Sequence, residues 1–333
     1  MNQTTETVPS EHVRAMVERL AASAEPVLDK AESLVELAFD LQRKPQSAVD
    51  LHDALFLYEE AARLAEQHPL ARARSLAGKA AALRRIGGTG ALEEARAAFE
   101  EALPALNELG DLEERAEAEM TYGLVLQALA NARLAALPDA VSAYQRALRF
   151  FGSATHPREF AILHNNLATA YLSMRLAPEK EGLREALAVQ SFREALKVVT
   201  LVDDPGEYAM LQNNLGNALQ SLRSSHPLEN LVRAIEAYDE ALKVRTAHDM
   251  PQEHANTIAN KANALMNLPD DPANVEAGNP KNLLEAARLL QRASVMFEAQ
   301  GVPERAEMVR EVLAGIVQDL SADAREELTR QAP

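Results

Sequence analysis

The chain has 333 residues, no cysteine and no tryptophan, and carries 50 acidic against 34 basic side chains for a formal net charge of −16. Phosphate binding needs a concentrated Lys/Arg surface, so this balance argues against nucleic acid and against an anionic membrane. The acidic residues are spread along the chain, where they keep a long helical surface soluble, with steering of a basic partner as the alternative.

Met1 to Ser10 contains no basic stretch leading into an apolar core, and no run approaches the ~18 apolar residues of a membrane span. With no disulfide framework and no thiolate chemistry available, the expected location is the cytoplasm. Ser10 reads as an N-cap, and Val13, Met16, Val17 and Leu20 follow at helical spacing. A capping helix is therefore expected within residues 1–25.

Between residues 26 and 302 one pattern recurs six times: Ala54/Tyr58/Ala61, Ala95/Phe99/Ala102, Ala140/Tyr144/Ala147, Ala188/Phe192/Ala195, Ala234/Tyr238/Ala241 and Ala286/Leu290/Ala293. Intervals of 4 and 3 put each triplet on one helix face, two small residues admitting a neighbour closely and one large residue wedging between helices. The steps of 41, 45, 48, 46 and 52 residues are the signature of stacked units that bury their apolar faces on one another, which predicts one elongated domain. On this pattern Ala237 falls on the outward side of its helix.

A second small-residue landmark precedes each triplet: Leu37-Ala38, Ala77-Gly78, Tyr122-Gly123, Leu167-Ala168, Leu215-Gly216 and Lys261-Ala262. It marks a partner helix. Pro227, Pro251 and Pro303 stand at expected helix starts, where proline is tolerated, whereas Pro104 falls inside a second helix and predicts a kink or an early end. After Pro303 a further stripe of Ala306, Val309, Val312, Leu313, Ile316 and Leu320 predicts a C-terminal capping helix within residues 303–333, and Ser321 to Pro333 read as a short, frayed tail.

These paired landmarks resemble the tetratricopeptide repeat (TPR) family, whose units join a Leu-Gly-x-x-Tyr helix to an Ala-x-x-x-Phe-x-x-Ala helix. The resemblance covers about residues 26 to 320. Asn213-Asn214-Leu215-Gly216-Asn217-Ala218-Leu219 and His164-Asn165-Asn166-Leu167-Ala168-Thr169-Ala170-Tyr171 look like its long-repeat, peptide-binding subgroup, although the basic unit of the family is only about 34 residues. The implied fold is all-α: a right-handed α-solenoid of about six helix pairs with capping helices at both ends.

Polar residues on the first helices are the candidate site. Asn256, Asn260, Asn263 and Asn267 share one stripe of a helix although each costs about 0.5 kcal/mol there relative to Ala. Matching positions are Asn214 and Asn217 one repeat earlier and Asn166 and Thr169 before that. The resemblance implies that these positions face a concave groove, where a side-chain amide pairs with the N–H and C=O of an extended peptide; hydrogen bonding between neighbouring helices is the competing reading. Nearer the N-terminus the stripe becomes Glu32 and Glu36, then Arg72 and Lys79, then Glu117, Thr121 and Gln127, and Arg72 with Lys79 form a candidate carboxylate clamp.

Catalytic and cofactor signals are weak. Gly87-Gly88-Thr89-Gly90 follows a helix and lacks the Lys of a phosphate loop, so it reads as a turn. No histidine pair has i, i+4 spacing, and Asp270, Asp271 and Glu276 lack calcium-loop spacing, leaving residues 268–281 as an ordinary insertion. The expectation is a scaffold, not an enzyme, with no cofactor or metal, that binds an extended protein segment. A regulatory or assembly subunit holding a folded partner and a small-peptide signal receptor are the alternatives.

Overall fold

A computed structural model describes residues 9–175 and 181–330, which are helical throughout apart from their connections and contain no strand. They fall into two compact units, Met1–Gly152 and Ser153–Pro333. Unit 1 holds α1 (Glu11–Ala22), α2 (Val27–Arg43), α3 (Ala48–Leu64), α4 (Pro69–Ile86), α5 (Thr89–Leu109), α6 (Leu112–Asn131) and α7 (Leu137–Ala147). Unit 2 holds α8 (Pro157–Ser173), α9 (Glu181–Ala195), α10 (Pro205–Ser221), α11 (Pro227–Leu242), α12 (Pro251–Met266), α13 (Pro280–Ala299), α14 (Pro303–Asp319) and α15 (Ala322–Arg330).

Local signals set the helix ends. Asp111 and Glu114 form a reciprocal capping box on α6, with Glu114 N donating to Asp111 Oδ1 at 2.9 Å and Asp111 N to Glu114 Oε2 at 3.1 Å. Proline opens α4, α8 and α10 to α14, where its missing N–H would be unpaired anyway. Gly87 and Gly88, at φ of +78° and +84°, make the tight reversal from α4 to α5, so the glycine run is a turn as expected. Pro104 does not end α5, which continues to Leu109. The proline lies on the exposed face, where the carbonyl it leaves without an amide partner can be hydrated.

Within each unit the helices form antiparallel pairs that stack on the next pair. The α4/α5 pair shows this in two ion-pair rungs, Arg72 to Glu101 at 2.6 Å and Lys79 to Glu94 at 2.7 Å, whose numbers rise on one helix as they fall on the other. All eighteen triplet residues are at most 2% exposed. The aromatic wedges explain the small-residue landmark, because a Cβ at Gly78 would stand 2.2 Å from the Tyr58 ring, one at Gly123 2.5 Å from Tyr144 and one at Gly216 2.5 Å from Tyr238. Each of these buried hydroxyls is accepted by a first-helix amide, Tyr58 by Gln42 at 2.9 Å, Tyr144 by Gln127 at 2.7 Å and Tyr238 by Asn217 at 2.8 Å. Burial therefore costs the tyrosines no hydrogen bond.

Two expectations are corrected. Ala237 is only 5% exposed, packed inside the unit 2 core, because a repeat in a stack has neighbours on both sides of its second helix. The chain after Ser321 is not a frayed tail over its described part: α15 lays Leu328, 7% exposed, against the α13 core, and Glu327 pairs with Arg288 at 2.5 Å. At the other end, α1 packs against α2 and α3. Ser10 N donates to Asp53 Oδ1 at 2.7 Å, and the buried Lys30 ammonium donates to the carbonyls of Ala21 and Ser23 at 2.8 and 2.7 Å, satisfying the end of α1.

Candidate functional site

In unit 2 the first helices α8, α10 and α12 carry the amide stripe, and the fold divides it. Asn260 Nδ2 donates to Asn213 Oδ1 at 3.3 Å, joining α12 to α10. The same Asn213 oxygen accepts from Thr257 at 3.2 Å, and the Thr257 hydroxyl accepts from Arg245 at 3.0 Å. Thr257 is 0% exposed and Asn213 and Arg245 are each 8% exposed, so this is an interior network between repeats. Burial lowers the Arg245 pKa below its ordinary value.

Other members of the stripe are also engaged. Asn256 accepts a hydrogen bond from Arg305 on α14, and Asn217 is the acceptor for Tyr238 described above. Thr169 donates back along its own helix to the Asn166 carbonyl at 3.0 Å, while Asn166 Nδ2 is buried without a hydrogen-bond partner. Asn267, exposed at the surface, donates from Nδ2 to the Asn263 carbonyl at 2.8 Å. Asn214 is half-buried, and its oxygen accepts only a long 3.4 Å bond from Asn213. Asn263 is exposed, and its side chain makes no hydrogen bond with any described residue.

In unit 1 the candidate clamp residues have partners inside the chain. Arg72 binds Glu101, and Lys79 lies between Glu59 at 2.9 Å and Glu94 at 2.7 Å. Burial would lower the Lys79 pKa, but the hydrogen bonds to Glu94 and Glu59 outweigh it and the pKa is raised. A ligand carboxylate would have to displace these glutamates, so the two cations act in the structure as rungs between α3, α4 and α5.

Beside them is a feature that the sequence reading missed. The first-helix faces of α2, α4 and α6 enclose a recess of about 370 Å³ whose wall includes Val35, Phe39, Ala77, Ala81, Met120 and Thr121. Phe39 is 56% exposed at its lip. Arg74 crosses the edge to Glu114 at 2.5 Å, and Glu114 is held in place by the α6 capping box. The signal was present in sequence: the 4, 3 spacing that runs through Glu32 and Glu36 arrives next at Phe39, in register with Asn217 and Asn263 of the later repeats.

Acidic turn residues serve as helix caps. Asp270 caps α13 by accepting from Lys281 N and Asn282 N at 2.9 and 2.8 Å, and Asp204 caps α10 through Glu207 N at 3.1 Å. His254 Nδ1 lies 2.7 Å from the Arg245 carbonyl. Among the described residues no three His, Asp or Glu side chains gather as a metal site, and no helix is long and apolar enough to cross a membrane.

Comparison with known proteins gives the fold. No family model matches the sequence, and no curated protein matches it. Among solved structures, BtubC (BKLC) from P. vanneervenii is similar with a TM-score of 0.50, 21% identity and coverage of 71% of this chain and 89% of that one. YrrB, described as a TPR protein with an unusual peptide-binding site, aligns with a TM-score of 0.42 and 20% identity over 72% of this chain and 95% of its own. The fold is an all-α helical repeat with the paired-helix packing laid out above, a likeness it shares with BtubC.

Proposed function

We propose that the chain is a non-catalytic interaction scaffold that takes an extended protein segment along the first-helix faces of its repeats. In unit 2 the backbone of that segment pairs with Asn214, Asn263 and Asn267. Asn256, Asn260 and Asn217 line the same face but are committed to holding helices together, and Asn166 with Thr169 continue the face on α8. The observation that carries this reading is Asn263, an exposed amide in the last turn of α12 whose side chain has no hydrogen-bond partner among the described residues, where alanine would make the better helix.

A random-peptide display selection on the full chain, followed by titration of the selected sequences, tests it. The Asn214→Ala/Asn263→Ala double variant should keep its melting temperature and lose about tenfold in affinity, the loss of one or two paired amides. Selected peptides that bind this variant as well as the parent would remove the amide face as the binding surface.

A further inference from the structure

We infer that the recess of unit 1 is a docking site for a basic protein segment that inserts one apolar side chain. The inference rests on the scaffold reading but concerns unit 1 and uses none of the unit 2 amides. Two features define the occupant. The first is the apolar wall: Phe39, 56% exposed, stands over Val35, Ala77, Ala81 and Met120, and an unpaired aromatic at the mouth of a concave site gains by being covered.

The second is charge. A smaller pocket shares Val35 and Arg74 with the recess and brings in Glu32 and Glu36, while Glu114 and Glu117 line the far side. Four carboxylates thus surround one guanidinium, and that guanidinium is already taken by Glu114 at 2.5 Å. Its pKa is raised first by that hydrogen bond and further by Asp111 and Glu32, against a burial effect that lowers it. Glu32 and Glu36 are exposed and have no cation within 4 Å among the described residues. An acidic ligand would meet net negative field, and the one cation lining the two pockets, Arg74, is already engaged by Glu114. Lys or Arg on either side of an apolar anchor matches both features, with the charges steering the segment and the apolar side chain leaving water.

The test is a fluorescein-labelled probe of sequence Gly-Lys-Arg-Leu-Lys-Ser-Gly titrated against the full chain by anisotropy. Replacing its basic residues by Glu should weaken binding by about tenfold or more, and replacing its Leu by Ser by about fivefold. Phe39→Ser should cost a similar factor with no change in melting, and Glu32→Gln/Glu36→Gln should weaken binding and flatten its salt dependence. No binding at ~1 mM probe, equal affinity for the charge-reversed probe, or full affinity in Phe39→Ser overturns the inference. A concentration-dependent dimer abolished by Phe39→Ser overturns it also, assigning the face to a second copy. If Asn214→Ala/Asn263→Ala loses the probe while Phe39→Ser keeps it, the scaffold reading stands and this site falls.

Discussion

The first-helix faces of the two units occupy the same place in the repeat and do different chemistry. In unit 1 the face is an apolar recess with carboxylates at its edge, and its cations Arg72, Lys79 and Arg74 are each tied to a glutamate. In unit 2 it is a row of amides, of which Asn260, Asn256 and Asn217 serve neighbouring helices and Asn263 serves none. A repeat scaffold thus fixes where a side chain sits and leaves its role to the neighbour it meets. Residues of one type at equivalent positions are consequently not equivalent in energy.

The largest contrast lies between wedge and lip. Tyr144→Ala and Tyr238→Ala should each destabilise by about 3–5 kcal/mol, the cost of emptying a buried aromatic site, because both rings are 0% exposed. Phe39→Ala, removing a ring that is 56% exposed, should stay within about 0.5 kcal/mol. Chemical denaturation of the three variants measures it, and comparable losses would show that Phe39 is a core residue, not part of a docking face.

Next are the glycines that admit the wedges. Gly123→Ala and Gly216→Ala should destabilise by roughly 1–3 kcal/mol, since overpacking against a fixed ring exceeds the ~1 kcal/mol that alanine gains in a helix. Gly90→Ala, with nothing within 4 Å of its added methyl group, should be neutral or stabilising. In the wedge picture Gly216→Ala and Tyr238→Leu are coupled, so the double variant should lose less than the sum of the singles. Strict additivity would separate the glycine from the tyrosine.

A smaller effect distinguishes the two kinds of asparagine. Asn213→Ala strips partners from Thr257 and Asn260 and should cost about 1–3 kcal/mol, whereas Asn263→Ala should stabilise by up to about 0.5 kcal/mol. Equal responses in thermal melts would erase the division of the stripe. The smallest effect is in pH. Burial lowers the His164 pKa, helped by Lys197 and opposed by Glu194, so the unfolded chain takes up the proton first as pH falls. Its contribution is complete above the unfolded value near ~6.5 and declines below it toward the folded value. The melting temperature should therefore fall less steeply between pH 7 and about 5.5 in His164→Gln than in the parent; parallel profiles would exclude this histidine.

Much of the architecture was written in local sequence. The 4, 3 spacing of Ala140/Tyr144/Ala147 and its five counterparts placed the second helices and their buried faces, because a helix of 3.6 residues per turn leaves few ways to bring three such residues together. The prolines at 227, 251 and 303 marked helix starts correctly for the same local reason. What sequence could not assign was partnership. Gly78 meets Tyr58 from the preceding repeat while Gly123 and Gly216 meet tyrosines of their own repeats, although all three glycines carry the same local signal. Asn260 and Asn263 are three residues apart on one stripe, yet the first reaches Asn213, 47 positions away, and the second faces water. Helical periodicity is a property of the chain within one turn or two and was legible. The partner of a side chain, and with it the difference between a structural amide and a binding amide, depends on which helix the stacking brings within ~3 Å, and that distance exists only in the folded protein.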